Sequence, residues 1–518
     1  MNKSNTKTIA RNTGWYGLET AISFMMTLVT SIAIARTLGP SKMGYIIYVT
    51  WIAQIVSSLG GMGIPETTRK YMAEFIGMGD HGTARYIYIR TLRLQMLLAT
   101  VATTGILFWV LGDANAEYKL ASALVVLSIW PAMINFVSAQ ANVATEELST
   151  NLPASVIATF VYFFAIIATV VLHWGVIGVG ASMLVGRMVD FLVRLFPTMK
   201  RVLSWESTHA QPELLPKRMM SFAWKSIISM ILALIVWNRS EIILLRHLCA
   251  DIRQVAYYSV AFSMAERLLV GSMTFNSAIA ATIFAQFGRD RSKLPAIAAS
   301  SFRYLALTSI PLHFIAAALA APALLLLYGN EYKGAAMVVT LAPLLCMPKA
   351  FIGPVQSLLE SVERQSIIIL ATVLAGIADL SVAWCLIPAH GAVGACIGSG
   401  AAQVMAVGMM WAIGIHLYKV KLPWLLLFKV TVVSTLAALT AHYIANGLAP
   451  IWAILGGGSA SLMVLFSLLY PMRVLEQEDH ARLSTLTGML PKPIAAPAKT
   501  LLSLLIRVEE TDAVSTQI

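Results

Sequence analysis

Stretches of about 20 predominantly apolar residues recur along most of this chain, separated by short polar breaks. They predict spanning helices near 14–35, 43–64, 92–111, 119–141, 153–173, 175–197, 219–245, 255–284, 302–328, 334–359, 366–388, 391–417, 424–446 and 450–470. A segment that is apolar on every face has no wet side, so it belongs in a core or in lipid. The expected fold class is therefore an all-α polytopic membrane protein of about 14 transmembrane helices. The polar, basic start of the chain leads into an apolar run too long for a cleaved signal, so the first helix is expected to be retained.

Composition agrees with this pattern. The 518 residues are 58% hydrophobic and 12% charged, where a soluble domain carries about 25% charged residues. The net charge of +12 is placed by the helix pattern itself. With the N-terminus inside, nineteen Lys and Arg fall on cytoplasmic segments and six on outside loops. That asymmetry is the positive-inside signal. It predicts that both termini are cytoplasmic, and it assigns the positive charge to anionic lipid, not to nucleic acid. The four cysteines form no CxxC pair and no His cluster accompanies them, so no metal and no cofactor is expected.

The chain reads as duplicated. His173-Trp-Gly175-Val-Ile-Gly178 is echoed by His390-Gly391-Ala-Val-Gly394. The same offset carries Glu147 onto Glu363, each just ahead of an apolar helix. Arg36-Thr-Leu38-Gly and Arg246-His-Leu248-Cys both close the first helix of their half. The expected organisation is a six-helix bundle over 1–200, a cytoplasmic linker over 201–217, and a second six-helix bundle over 218–418. Two further transmembrane helices over 419–471 and a cytoplasmic tail over 472–518, with a short interfacial helix or no fixed structure, complete it. Internal repeats of this kind are a hallmark of secondary transporters.

Recognisable catalytic motifs are missing. The sequence holds no Walker-type loop, no HExxH and no GxSxG. The longest predicted loop, 65–91, lies on the cytoplasmic side, where a glycan polymerase or ligase would need a large outside loop. The expectation is a transporter, not an enzyme.

The informative residues are charges inside apolar helices, where a Lys or Arg at mid-bilayer costs roughly 2.5–3.5 kcal/mol or more. Arg218, Lys225, Arg239 and Arg246 are spaced by multiples of seven, with Leu232 in the skipped slot. On one uninterrupted helix they would form a stripe roughly 42 Å long, rotated about 80° end to end. Arg267, Lys349 and the acids Glu241, Glu266 and Asp379 are also embedded. Internal pairing is the competing explanation for each, but across the spans 219–245, 255–284 and 334–359 the cations Lys225, Arg239, Arg267 and Lys349 outnumber Glu241 and Glu266. Arg218 and Arg246 fall at the two interfaces, where snorkelling is cheap. Arg187, Asp190 and Arg194 read as a self-paired, snorkelling triad. Pro343, Pro348 and Pro354 predict an interrupted helix around Lys349. Trp15, Tyr45, Tyr48, Trp51, Trp174, Trp384 and Trp424 are mostly expected at the membrane interfaces.

Several local motifs carry a family resemblance. Ala35-Arg36-Thr-Leu38-Gly39-Pro40-Ser-Lys-Met-Gly44-Tyr45, Gly63-Ile-Pro-Glu-Thr-Thr-Arg69-Lys-Tyr71-Met-Ala-Glu74, the Gly-x-x-Gly motifs above and Glu476-Gln-Glu-Asp479 resemble polysaccharide flippases of the O-antigen transporter (Wzx-like) type. The resemblance implies the multidrug/oligosaccharidyl-lipid/polysaccharide exporter superfamily. It also implies two six-helix bundles around a cavity, and flipping of an undecaprenyl-pyrophosphate-linked oligosaccharide by alternating access for surface polysaccharide assembly. By the charge count, Lys225, Arg239, Arg267 and Lys349 are the residues expected to bind the anionic substrate, and Glu241, Glu266 or Asp379 is expected to couple an ion gradient. The expected partners are the lipid-linked oligosaccharide, the membrane, and a polysaccharide polymerase with its chain-length regulator. The rival readings are a drug or metabolite exporter of the same superfamily and a non-transporting enzyme or scaffold of glycan assembly.

Overall fold

A computed structural model describes residues 3–112, 116–145, 147–206, 215–237, 239–472 and 474. Every element in it is helical: α1 (Lys3–Leu59), α2 (Ile64–Gly77), α3 (His81–Leu111), α4 (Ala116–Leu127), α5 (Ile129–Ala144), α6 (Leu148–Val171), α7 (Gly175–Leu203), α8 (Leu215–Trp237), α9 (Glu241–Leu248), α10 (Arg253–Leu268), α11 (Val270–Arg289), α12 (Leu294–Tyr328), α13 (Ala336–Cys346), α14 (Ile352–Ser361), α15 (Gln365–His390), α16 (Ala392–Tyr418), α17 (Trp424–Ala445) and α18 (Pro450–Leu469). Short 3-10 turns precede α12, α13 and α14. Among the described residues eleven helices are long and apolar enough to cross a membrane, or twelve if α10 and α11 form one bent span. The expected number was fourteen. One of the eleven, Phe24–Gly77, holds two of the expected spans.

Those two run together because the loop expected between them is a single kink. Gly39 (φ 69, ψ 171) is the one non-helical residue inside α1, and Pro40 follows it. Glycine reaches positive φ without a Cβ clash, and proline suits the first position of the helix that restarts. The expected 65–91 loop is instead mostly helix, with α2 entered through Pro65 and α3 capped by Asp80, whose carboxylate accepts from Thr83 N–H at 2.9 Å.

By packing, the chain divides into two units, Met1–Ala256 and Tyr257–Ile518. In the first, α3, α5 and α7 pack around buried Ile87, Tyr88, Ile129, Met133 and Ile134, and α2 lies across α3 and α5 with Met72 and Phe75 inward. Helices α8 and α9 group with this unit. The window of α6 has a mean hydropathy of 2.4, yet only 17% of it is buried. Apolar side chains pointing outward on that scale are stable only when the surroundings are lipid.

In the second unit α12 is central and packs against α13, α17 and α18. Val433, Ala437 and Leu465 form a buried cluster there, with Ile315 of α12 against it. Phe302 lies 4.9 Å from Phe351 in a tilted contact and 4.8 Å from Trp411 edge to face, and Trp411 donates its indole N–H to Phe351 O at 3.0 Å. The hairpins α6–α7 and α15–α16 turn through glycines of similar positive φ, Gly175 (φ 57) and Gly391 (φ 53), the pair matched by the sequence echo. In α16 a Cβ on Gly394 would sit 2.6 Å from the Leu386 carbonyl of α15. Backbone cannot yield as a side chain can, so Gly394→Val is expected to cost roughly 1–3 kcal/mol or more. Early loss of monodisperse protein on heating would show it, and an unchanged melting profile would refute it.

The aromatics expected at the interfaces divide by exposure, and the side chain of Trp15 lies outside the described residues. Trp174, Trp384 and Trp424 are exposed. Tyr45 instead stacks on Tyr118 at 4.3 Å and accepts from the Ser122 hydroxyl at 3.0 Å, and Tyr48 is buried with Arg246 at 5.8 Å from its ring. The acidic turn Glu476–Asp479 and the tail with its interfacial helix lie outside the described residues.

Candidate functional site

The expected cation stripe is not one helix. The chain leaves helical geometry between α8 and α9, and Arg239 sits in that interruption at φ 50. A non-glycine residue in the left-handed region is uncommon and carries backbone strain. Arg218 lies at the start of α8 and Arg246 near the end of α9, so the seven-residue register is broken between them. Arg218 Nη2 pairs with Glu74 Oε1 of α2 at 2.9 Å and Arg246 lies over Tyr48, which accounts for both ends within the first unit. Lys225 is on α8, and its side chain lies outside the described residues. Glu241 opens α9 two residues after Arg239 and is buried.

In the second unit Glu266 and Arg267 occupy the last turn of α10, just before a 48° bend into α11. The prolines interrupt the next span as expected: α13 ends at Cys346, a 3-10 turn over Met347–Phe351 holds Pro348 and Lys349, and α14 resumes. The two interruptions touch. Lys349 Nζ lies 4.0 Å from Glu266 Oε1, longer than a hydrogen bond but a clear Coulombic pairing. Cys346 Sγ lies 3.8 Å from Ala265 O, with Pro343 O of its own helix nearer at 3.4 Å, and Asn276 Nδ2–H donates to Ala350 O at 3.1 Å. Arg267 folds back along its own helix, donating from Nη1 to Ser263 O at 3.1 Å. Asp379 is buried on α15, where its backbone faces Gly398 of α16.

The structure therefore brings Glu266 and Lys349 together, and places Arg239, Arg267 and Lys349 each at a helix interruption. Irregular backbone at membrane depth is tolerated only where it is buried in protein or lines a wet cavity, and discontinuous helices are where transporters hold substrate and ions. In the first unit Arg239 and Glu241 sit at one break, and in the second Arg267 and Lys349 share theirs with one acid, Glu266. Among the described residues no three His, Cys, Asp or Glu side chains are grouped to hold a metal ion.

Sequence reasoning missed a polar network inside the first unit. Asp190 Oδ1 takes a 2.6 Å hydrogen bond from Arg194 Nη2, and its Oδ2 takes another of 2.6 Å from Asn135 Nδ2. Arg194 Nη2 also reaches Ser155 Oγ at 3.0 Å. One turn on, Asn142 Oδ1 accepts from Thr198 at 2.9 Å and Arg201 at 2.6 Å, and Asn142 Nδ2 donates to Asn151 Oδ1 at 2.8 Å. The triad expected to snorkel is thus split: Arg187 is exposed, whereas Arg194 is 8% exposed and tied to α5 and α6. Asn135 and Asn142, seven apart in an apolar helix, were the available signal.

Several solved transporters share this multi-pass helical fold. A lipid II flippase MurJ in an inward closed conformation matches with a TM-score of 0.67 at 12% identity, over 88% of this chain and 97% of that one. An inward-facing MATE-family multidrug resistance transporter of the MOP superfamily matches at 0.63 and 16%, over 76% and 93%. A MOP-superfamily transporter from Pyrococcus furiosus, described as having a binding pocket of reverse polarity, matches at 0.54 and 14%, over 76% and 92%. At these identities the likeness is one of fold. The family comes from the sequence: residues 9–289 match the model of the polysaccharide biosynthesis protein family, and the chain belongs to that family. No curated protein matches it.

Proposed function

We propose that this protein is a flippase that moves an undecaprenyl-pyrophosphate-linked oligosaccharide across the bacterial inner membrane by alternating access, for surface polysaccharide assembly. The observation that carries the reading is the seating of Arg239, Arg267 and Lys349 at helix interruptions in a chain of the polysaccharide biosynthesis family. A guanidinium offers a planar fork of donors matched to phosphate oxygens, and an ammonium adds a point charge. Lys225 joins them as the fourth substrate-holding cation. Glu241, Glu266 and Asp379 are the proposed carriers of a coupling ion, with Glu266 positioned to exchange Lys349 for that ion. The organisation proposed around them is two six-helix bundles, a linker, two further helices and a cytoplasmic tail, both termini being cytoplasmic. A polysaccharide polymerase and its chain-length regulator are the proposed partners downstream.

The test is a deletion strain. It is expected to lose surface glycan and to accumulate the lipid-linked oligosaccharide on the cytoplasmic face, with both defects reversed by the wild-type chain. Normal surface glycan in the deletion strain would overturn the proposal. Cytosolic build-up of a cationic dye instead would favour the drug-exporter reading, which the positive surplus at the second unit's helix breaks disfavours.

A further inference from the structure

Between the α10–α11 bend and α12 the second unit contains a cavity of about 490 Å³, within the roughly 300–1,000 Å³ of small-molecule sites. Its lining is divided. Leu268, Phe275, Leu305 and Leu312 are apolar, whereas Arg267, Ser272, Tyr304 and Ser309 bring polar groups.

The two serines are the telling pair. Ser272 Oγ of α11 and Ser309 Oγ of α12 are 2.8 Å apart, and both side chains are buried. Two hydroxyls supply two hydrogens, and only one is used between them. The neighbouring Thr308 differs, spending its hydrogen on Tyr304 O at 2.9 Å within its own helix. One buried donor on the serine pair therefore has no acceptor within the chain's described hydrogen bonds, and a buried donor left so costs about 1–3 kcal/mol. A bound acceptor would recover that cost. The Arg267 guanidinium, lining the same cavity, favours an acceptor that is an anion. The apolar wall asks that the anion be attached to a hydrocarbon chain.

We propose that this cleft seats the phosphate end of a lipid, with Arg267 and the spare serine hydrogen on the phosphoryl oxygens and Phe275, Leu305 and Leu312 against the first segment of the chain. The proposal rests on the reading of Arg267 as an anion-holding residue and adds Ser272 and Ser309 as recognition groups. The phosphate could belong to the polyprenyl carrier or to a membrane phospholipid, and the two sources share this chemistry.

Native mass spectrometry of the purified full chain separates them, with undecaprenyl phosphate, phosphatidylglycerol and uncharged undecaprenol as probes. Wild-type protein is expected to retain undecaprenyl phosphate about tenfold better than undecaprenol. The Ser272→Ala/Ser309→Ala variant is expected to lose about tenfold in retention. Leu312→Trp, at a position about half exposed, fills the cleft without disturbing the serines and is expected to abolish retention. Unchanged retention in both variants overturns the proposal. Equal, cleft-dependent retention of phosphatidylglycerol assigns the seat to a phospholipid, and preference for undecaprenyl phosphate assigns it to the carrier. Cleft-dependent binding in a protein whose deletion leaves surface glycan intact would sink the flippase reading alone. Glycan transport without cleft-dependent binding would sink this proposal alone.

Discussion

Removing the guanidinium groups of Arg239 and Arg267 together is expected to abolish surface-glycan assembly while the protein still inserts and accumulates. Each charge-assisted contact is worth roughly 1.5–3 kcal/mol, about tenfold to a hundredfold in affinity. Two such losses at separate helix breaks would combine. Arg239 permits an unusually clean control because of its backbone. At φ 50 a glycine is the less strained residue, so Arg239→Gly is expected to relieve backbone strain while losing transport. Activity would then follow the side chain, not the fold. Full complementation of the deletion strain by Arg239→Ala/Arg267→Ala would remove both residues from the substrate path.

Breaking the buried pair in the first unit is expected to give the largest stability effect. Asp190 compensates Arg194 at 2.6 Å, and Arg194 is 8% exposed. Asp190→Leu would leave that guanidinium buried without its counter-charge, at a cost of roughly 3–5 kcal/mol. Adding Arg194→Met is expected to recover most of the loss, because an apolar pair of similar volume is often neutral relative to the ion pair. Thermal unfolding of the detergent-solubilised variants checks both statements. A single variant as stable as the wild type, or a double variant no better than the single, would show that the network does not hold α5, α6 and α7 together.

The seven-residue spacing from Arg218 to Arg246 illustrates the limit of sequence periodicity. Such a spacing specifies a stripe only if the helix is continuous, and nothing in Trp237-Asn-Arg-Ser240 announces a break with the force of a proline. The prolines around Lys349 did announce one, and the interruption falls there. Gly39-Pro40 was legible as punctuation, yet it produces a kink and not a loop, because a single residue at positive φ redirects the chain and the next restarts the helix. The charge count was legible too, since insertion costs attach to residue types. Which cations have partners was not. Glu266 meets Lys349 across 83 positions of sequence, read from the two residue numbers, and Arg218 meets Glu74 across 144. Burial of Ser272 against Ser309 is likewise a meeting of two helices that no local pattern specifies.

The sequence by itself determined that this is a membrane protein of many helices and that it belongs with polysaccharide biosynthesis proteins. Those properties follow from one-dimensional quantities: apolar run length against bilayer thickness, the cost of burying charge, and motifs at fixed spacing. Only the tertiary structure decided where the helices break, which charges are paired, and where buried polar groups collect into a network or a cleft. Each of these is an energy between residues distant in the chain, and it exists only once their helices have packed.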